Sequence, residues 1–316
     1  MTATPKTPTT HDAPLPTTPP VGLHDESLAA RHAEVLERVA AAARQAGRKP
    51  ADVILIAVTK NADPEQIKTL LALGHRDFGE NRVQQLAQHA AIVEEFLARQ
   101  RLLPGTRRLN TDAAAESLFP AAPEVELKPV AGQPGAREGV RWHMIGHLQR
   151  NKARKVIEFV RLTHSVDSLR LAEELQQIAL RRDQPVEVLL QVNCSGEGAK
   201  YGCPMPAAIP LAEQIATMIN VRLRGLMTIA PYGERPEDAR ATFVRCRELF
   251  EEMSTMGFGE SAPFNILSMG MSGDYEVAIS EGANLVRVGS SIFGESRPEE
   301  TDPPEAPEPD APADDR

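Results

Sequence analysis

Hydrophobic residues along this chain follow two alternating patterns. Short apolar runs that end in polar or glycine-rich turns are each followed by a longer segment with apolar residues at helical spacing. The first run is DVILIAVTK, residues 52–60, which is typical of a strand buried on both faces. Asp63-Pro64 then predicts a helix start and Gly74 a helix end. Because later runs repeat this order, the pattern predicts strands joined by helices.

Eight strands are predicted, each followed by a helix except the last. Strict alternation favours parallel strands with crossover helices, and eight units match a single (β/α)8 TIM barrel, here with an additional N-terminal helix. A doubly wound open sheet is the alternative, although no G-x-G-x-x-G motif follows the first strand. The predicted strands are Asp52–Lys60, Asp77–Asn81, Trp142–His147, His164–Asp167, Val186–Asn193, Leu223–Ile229, Phe264–Met269 and Leu285–Val288. The predicted helices are Ser27–Ala46, Glu65–Leu73, Arg82–Arg99, Asn151–Val160, Ser168–Arg182, Pro206–Ile219, Pro236–Met256 and Tyr275–Glu281.

Three segments fall outside the alternation, which leaves residues 26–296 as the predicted barrel domain. Residues 1–25 are rich in Thr and Pro, and residues 297–316 are acidic and proline-rich. Both compositions predict disordered tails. Residues 101–140, rich in Pro, Gly, Ala and Arg, are interpreted as a mobile insertion without chemistry of its own.

Charge and cysteine content narrow the class of protein. The formal net charge is −9, and the last twenty residues alone hold eight acidic and two basic side chains, so the body is nearly neutral. A nearly neutral body argues against non-specific nucleic-acid binding. Cys194, Cys203 and Cys246 form no C-x-x-C pair, which predicts reduced thiols. No apolar run is long enough for a transmembrane helix and no signal pattern begins the chain, so we expect a cytoplasmic protein without membrane contacts.

Lys60 is the first candidate for chemistry, because barrel function collects where strands end. By strand alternation it shares a face with Val58, Ile56 and Ile54. Desolvation of an ammonium at the end of a buried strand favours the neutral amine, which can form a Schiff base with a carbonyl. The alternative, favoured by this stretch alone, is a lysine that reaches solvent beside a carboxylate.

Two Gly/Ser turns suggest an anion site. They follow the seventh and eighth strands, at residues 270–274 and 289–291, and turns of this kind present free backbone N–H groups to a phosphate. Plain turn formation is the alternative. Arg287 is expected to point into the barrel, where it could donate a hydrogen bond to a ring nitrogen, or else pair with Glu80.

His143 and His147 are spaced i, i+4, but on a strand that runs into a loop this spacing is poor metal-ligand geometry. We interpret both as neutral, packed histidines. The amine, the anion site and the cation together suit an aldehyde with a phosphate and a pyridine nitrogen, namely pyridoxal 5′-phosphate (PLP). A phosphate-binding barrel enzyme without PLP is a further reading.

The chain resembles the pyridoxal phosphate homeostasis protein family from about Ser27 to Glu295. That family is similar to the barrel domain of alanine racemase, a fold-type III PLP enzyme. Three features depart from the pattern of the homeostasis family: the insertion, both tails and Cys203-Pro204. Because of Cys203-Pro204, the conformation of the loop that contains it is left open. The resemblance is carried by the motifs AVTKNADPEQI, DFGENRVQQL, WHMIGHLQRNK, HSVDS, GLMTIAP, LSMGMSGDYEVAI and VRVGSSIFGE.

The resemblance implies a role for each site residue. Lys60 would hold PLP as a Schiff base, and Arg287 would face the pyridine nitrogen. The phosphate would lie on Ser272, Gly289 and Ser290, while the ring would be lined by Asn81 and Met227.

The implied function is PLP buffering and supply, with PLP-dependent apo-enzymes as possible recipients and without robust catalysis. Racemisation needs a second base, and in alanine racemase that base is a tyrosine delivered alongside a separate β domain, for which this chain has no room after Glu295. The tyrosines here are Tyr201, Tyr232 and Tyr275. We therefore expect a monomeric carrier; a fold-type III racemase or decarboxylase is the alternative.

Overall fold

A computed structural model describes residues 26–102, 139–197, 201–258 and 262–294. The two predicted tails, residues 1–25 and 297–316, lie outside the described residues. So does nearly all of the predicted insertion at residues 101–140. Within the described ranges, no helix combines the length and the apolar character needed to cross a membrane.

The described residues contain eight parallel strands that close into a barrel. Nine strands are present in these residues in chain order, and the sixth lies outside the ring. Around the ring, the first five strands are followed by the seventh, eighth and ninth. The ninth pairs with the first, so no edge of the ring is left unpaired. The predicted (β/α)8 barrel is confirmed and the open-sheet alternative is wrong. The strands are β1 (Ile54–Val58), β2 (Asp77–Glu80), β3 (Arg141–Met144), β4 (Val160–Val166), β5 (Val186–Asn193), β7 (Val221–Met227), β8 (Ile266–Ser268) and β9 (Leu285–Val288), and an additional strand, β6, is described below.

Helices cover the outside of the sheet. Asp63 caps the helix after β1 with a 2.9 Å bond from the Gln66 backbone N–H, and proline occupies the first helical position. The helix before β4 is shorter than predicted, because a 3-10 turn at Arg150–Lys152 precedes it and Val160 belongs to the strand. The helices are α1 (Glu26–Gln45), α2 (Pro64–Ala72), α3 (Val83–Leu102), α4 (Ala153–Ile157), α5 (Leu169–Arg182), α6 (Met205–Ala216), α7 (Arg240–Ser254), α8 (Tyr275–Ser280) and α9 (Ser290–Phe293).

The loop left open by the sequence forms a short extra strand, β6 (Cys203–Pro204). It pairs with the end of β5, where Val192 lies opposite Cys203. The helix α6 then begins directly at Met205. The cysteines Cys194, Cys203 and Cys246 are buried and free.

The predicted N-terminal helix is confirmed as α1, and it anchors the last two strand–helix units. Arg31 Nε donates to the carbonyl oxygen of Ile292 at 2.7 Å. Arg38 makes two hydrogen bonds to the carboxylate of Glu276, at 3.0 and 2.9 Å. These contacts hold α8 and α9, the helices that follow the two Gly/Ser turns, against the barrel.

The core has two parts, separated by the sheet. Alternation of side chains sends one set outward to the helices, including Phe78 and Trp142. The other set fills the barrel interior: Ile56, Val58, Leu162, Leu189, Met227, Ile266 and Leu285, with Ile54 and Ile145 packed against it. The predicted shared face of Ile54, Ile56 and Val58 is therefore confirmed.

Gly225 is the tightest point of the sheet. Its φ of +149° is rarely adopted by residues with a side chain, and a Cβ there would collide with the carbonyl oxygen of Ile266 on β8. The backbones of β7 and β8 approach this closely where β7 shifts register against β5. Glycine at this position therefore allows the ring to close.

We expect Gly225→Ala to lower the free energy of unfolding by about 2–4 kcal/mol, because the new methyl group forces β7 and β8 apart. Urea denaturation followed by circular dichroism measures this loss. Gly273→Ala is the matched control, since a Cβ at Gly273 meets nothing within 4 Å. Equal stability of the two variants would contradict the account of ring closure.

Candidate functional site

The seven predicted site residues lie together at one mouth of the barrel. They belong to five strands that are consecutive in the ring, namely β7, β8, β9, β1 and β2. Each lies within or after the carboxyl-terminal half of its strand, where parallel strands present their loops. The residues are Lys60, Asn81, Met227, Ser272, Arg287, Gly289 and Ser290.

Pairing between β1 and β9 brings Lys60 beside the last Gly/Ser turn. Ile56 lies opposite Arg287 and Ala57 opposite Val288. One step further along, a Cβ added to Gly289 would lie 3.3 Å from the carbonyl oxygen of Val58. Lys60 follows two residues later and is exposed, so the expected burial of its side chain is wrong. The Lys60 side chain is therefore accessible to solvent just after the carboxyl end of β1.

A buried carboxylate fixes the turn before Lys60. Glu80 is fully buried, and its Oε1 accepts a 2.5 Å hydrogen bond from Thr59 Oγ1, next to Lys60 in the chain. The same oxygen lies 2.7 Å from Nδ1 of His89 on α3. The alternative in which Glu80 pairs with Arg287 is wrong, because Glu80 points outward to α3 and Arg287 points inward. Glu80 instead ties together the ends of β1 and β2.

Arg287 is a buried cation inside the barrel, on the face predicted by the alternation of side chains along its strand. Its Nη1 donates to Ser268 Oγ at 2.5 Å and its Nη2 to the carbonyl oxygen of Thr228 at 2.9 Å. Burial lowers the pKa of Arg287 to about 10, although the charge of Asp274 opposes the shift. Arg287 therefore remains protonated at neutral pH. Two of its five N–H groups make these bonds, which leaves donors for a ligand.

The two Gly/Ser turns are joined to each other. The backbone N–H of Gly289 donates to Ser272 Oγ at 3.1 Å, and Ser291 Oγ lies 3.5 Å from the carbonyl oxygen of Ser272. Asp274 closes the first turn by accepting a 2.6 Å bond from the Met271 backbone N–H. Burial raises the pKa of the Asp274 carboxyl. The turns therefore form one polar surface beside the end of β1.

Asn81 directly follows β2 and Met227 ends β7, so in ring order the two residues lie on either side of this surface. The Oδ1 atom of Asn81 is buried and has no hydrogen-bond partner among the described residues. A buried carbonyl oxygen without a donor costs free energy, so an unpaired one beside an opening suits a ligand. Met227 is fully buried and caps the interior cluster.

The two candidate histidines differ. His143 is fully buried, as predicted. The side chain of His147 is 41% exposed, so its predicted packing is wrong; it stacks on Tyr201 with ring centroids 4.7 Å apart, and its Nδ1 is 3.9 Å from Asp167 Oδ2. Within the described ranges, no group of three or more His, Cys, Asp or Glu side chains could hold a metal ion.

Several polar residues of the site were not assigned a role from the sequence. Ser268, His164 and Thr228 are all fully buried, and Ser268 and Thr228 contact Arg287. A signal was present, because Ser268 and His164 each occupy an inward strand position two residues after an inward apolar residue, Ile266 and Leu162. Glu80 was considered as a partner of Arg287, and its actual role at the turn before Lys60 was missed.

The barrel and its mouth define the class of this protein. The family described as alanine racemase, N-terminal domain, matches residues 32–297. Solved alanine racemases share the fold alone: the Clostridium difficile 630 enzyme is 12% identical, with a TM-score of 0.53 over 84% of this chain and 57% of that enzyme.

Within this class, the chain belongs to the pyridoxal phosphate homeostasis protein family. A relative of that name from Aquifex aeolicus is 35% identical over 267 residues, which cover 84% of this chain and 97% of the relative. A second, from Pseudomonas aeruginosa, is 36% identical over 270 residues, or 85% of this chain and 95% of the relative. The resemblance seen in the motifs is thus confirmed.

Two solved structures are similar in both sequence and fold. An unknown protein from Bifidobacterium adolescentis is 36% identical, with a TM-score of 0.66 over 85% of this chain and 95% of that one. PipY of Synechococcus elongatus PCC7942, solved with PLP bound, is 31% identical, with a TM-score of 0.60 over 82% of this chain and all of PipY.

Buried histidines predict that the protein loses stability in mild acid. Burial lowers the pKa of His75, His143 and His164, and it lowers that of His32 to about 4. The unfolded chain therefore binds more protons below about pH 6.5, and unfolding becomes easier as pH falls. Each such histidine contributes a loss of up to about 1.4 kcal/mol per pH unit.

Urea denaturation between pH 7.5 and 5.5 measures this slope. Asp77 does not contribute in that window, because hydrogen bonds from Arg141 and His143 outweigh burial and hold its pKa low. Burial raises the pKa of Asp274, and that shift acts against the loss caused by the histidines. Stability that stays constant or rises toward pH 5.5 would contradict the neutral state of the buried rings.

Proposed function

We propose that this protein binds PLP and acts in intracellular PLP homeostasis, with Lys60 holding the cofactor as a Schiff base. The observation that carries the proposal is the convergence of an exposed amine, a buried cation and two joined Gly/Ser turns at one barrel mouth. The name of the relatives and the PLP-bound PipY structure support it. We also propose that it works as a cytoplasmic monomer that supplies PLP-dependent apo-enzymes.

The residues present fit PLP. The buried Asn81 Oδ1 lacks a donor among the described residues, and Arg287 has N–H groups beyond its bonds to Ser268 and Thr228. Gly289 lies against Val58, where a side chain would be in tight contact. Polar atoms with unused hydrogen-bonding capacity therefore lie at the carboxyl ends of these strands, and the backbone of Gly289 carries no side chain that would obstruct a ligand.

Each residue has a definite task in this proposal. Bound PLP supplies a reactive aldehyde. The Lys60 amine holds that carbon through an imine, with loss of water. Arg287 donates a hydrogen bond to the ring nitrogen and, as a permanent cation, opposes protonation of that nitrogen. The phosphate is held by Ser272, Gly289 and Ser290, while Asn81 and Met227 line the ring.

A carrier is favoured over an enzyme for electrostatic reasons. A ring nitrogen kept unprotonated by Arg287 is a weaker electron sink, which limits carbanion chemistry. Alanine racemase resembles this arrangement, so a carrier must also lack a second base on the opposite face of the ring. An exposed Lys60 beside an open mouth suits reversible uptake and release.

One observation favours the alternative, a fold-type III racemase or decarboxylase. His147 and Tyr201 stack on the other side of the same mouth, and His147 Nδ1 lies 3.9 Å from Asp167 Oδ2. A partly exposed histidine near a carboxylate could serve as a second acid or base. The two functions differ in whether the Cα proton of an amino acid exchanges.

We expect the purified PLP-loaded protein to exchange the Cα proton of L- and D-alanine in deuterium oxide no faster than free PLP does. Proton NMR of the recovered amino acid measures the exchange, and an alanine racemase provides the positive control. Exchange at a catalytic rate that is lost in His147→Phe would contradict the carrier proposal and support the alternative.

We expect Lys60→Ala to abolish covalent PLP binding. Borohydride reduction of the wild-type imine, followed by peptide mass spectrometry, should place the added mass on the peptide that contains Lys60. The control is Lys155→Ala, which removes an exposed lysine of α4 that is distant from Lys60 in the sequence. This variant should bind PLP normally. Labelling at another lysine, or unchanged labelling in Lys60→Ala, would overturn the assignment. Absence of any PLP binding would favour a phosphate-binding barrel enzyme instead.

A further inference from the structure

A chain of hydrogen bonds crosses the barrel interior from Arg287 to Asp77. Arg287 Nη1 contacts Ser268 Oγ at 2.5 Å, and Ser268 Oγ contacts His164 Nδ1 at 3.0 Å. His164 Nε2 lies 3.1 Å from His143 Nδ1, and His143 Nε2 lies 3.2 Å from Asp77 Oδ1. The chain thus links five side chains on five different strands.

These side chains all face the interior and are shielded from water. Their neighbours along the strands, such as Phe78, Trp142 and Val288, lie in the outer core. Because side chains alternate between the two faces of a strand, the side chains of the hydrogen-bond chain face the barrel interior. Ser268, His164 and His143 are fully buried. Asp77 is the first residue of β2 and Arg287 the third of the four residues of β9. The chain therefore runs from the mouth toward the opposite end of the barrel.

The two ends of the chain determine the direction of every bond in it. Arg287 can only donate, and the Asp77 carboxylate, held ionised by two bonds from Arg141 at 2.6 and 2.5 Å, can only accept. His143 must then donate from Nε2 to Asp77, which leaves its Nδ1 as an acceptor in the neutral ring. His164 accordingly donates from Nε2 to His143. Ser268 donates its O–H to His164 Nδ1 and accepts from Arg287.

This direction matters because Arg287 is a buried charge whose two acceptors are neutral. Bonds that all point the same way polarise one another, which makes the Ser268 oxygen a stronger acceptor for the guanidinium. Had the chain run the other way, the Ser268 hydroxyl hydrogen would face a cation. The chain thus ties the orientation of Arg287 to a carboxylate at the far end of the barrel.

We propose that Ser268, His164, His143 and Asp77 are positioning residues, which form a one-way hydrogen-bond chain that holds Arg287 in place for the ring nitrogen of PLP. The part that concerns PLP rests on the proposed function, whereas the direction of the chain does not. Neither histidine touches the cofactor in this proposal; both act through Arg287.

The direction can be tested without PLP. In long-range 1H–15N NMR spectra of the full-length protein at pH 7, we expect His143 and His164 to be neutral, with the proton on Nε2 of both rings. Single His→Gln variants assign the two signals. A proton on Nδ1 of either ring, or a doubly protonated ring, would overturn the one-way chain.

The positioning role is tested by PLP titration of matched variants. Ser268→Ala removes the acceptor of Arg287 and should weaken PLP binding about tenfold, with Ser268→Thr recovering part of the loss. Asp77→Asn removes the carboxylate that sets the direction and should weaken binding about threefold or more. Glu187→Gln is the control. Glu187 is partly buried near the start of β5 and pairs with Arg224, which is not part of the hydrogen-bond chain, so PLP binding should not change.

The outcomes separate this proposal from the proposed function. Wild-type affinity in both Ser268→Ala and Asp77→Asn would overturn the positioning role while leaving PLP binding intact. Equal losses in Asp77→Asn and Glu187→Gln would also overturn it, because the effect would then be general destabilisation of the barrel. If the wild-type protein bound no PLP, the proposed function would fail and the NMR experiment would still decide the direction of the chain.

Discussion

The parallel pairing of β1 with β9 is the constraint on which the site depends. It closes the sheet, and its register sets Ile56 opposite Arg287 and Ala57 opposite Val288. Lys60 and the last Gly/Ser turn therefore leave the barrel as neighbours, although more than two hundred residues separate them in the chain. A one-residue slip would turn Arg287 out of the interior. The geometry of the mouth follows from barrel closure rather than from local contacts around Lys60.

The barrel interior combines an aliphatic layer with a buried polar chain. Apolar side chains such as Ile56 and Leu285 exclude water, which strengthens the electrostatic interactions inside and raises the cost of any unpaired polar atom. Arg287 avoids this cost by donating hydrogen bonds to Ser268 and to the carbonyl oxygen of Thr228. The same low polarity keeps His143 and His164 neutral.

Most of the fold was predictable because buried parallel strands and amphipathic helices have distinct periodicities. The eight strands, the N-terminal helix and the inward face of β1 followed from apolar spacing, and the family followed from motifs. Boundaries were less accurate: the predicted strand Asp52–Lys60 is reduced to Ile54–Val58, because a 3-10 turn forms at Pro50–Asp52. Helix α9 and strand β6 are too short for periodicity to reveal.

The sequence was sufficient to place the candidate residues at the strand ends, but not to reveal the contacts that support them. The alternation of side chains along β9 was sufficient to place Arg287 inside the barrel. The exposure of Lys60 and of His147 could not be read from the sequence, because each depends on how a loop leaves its strand. The role of Glu80 at the turn before Lys60 depends on α3, and the links through His164 depend on distant strands meeting across the interior. Pairwise geometry of this kind emerges only when the ring has closed.

A crystal structure of the protein soaked with PLP tests the central claim most directly. The account predicts continuous density between Lys60 Nζ and the aldehyde carbon, the ring nitrogen within hydrogen-bond distance of Arg287, and the phosphate on the turns of Ser272 and Gly289. Density for PLP that leaves Lys60 Nζ free, or that places the phosphate away from these two turns, would contradict it.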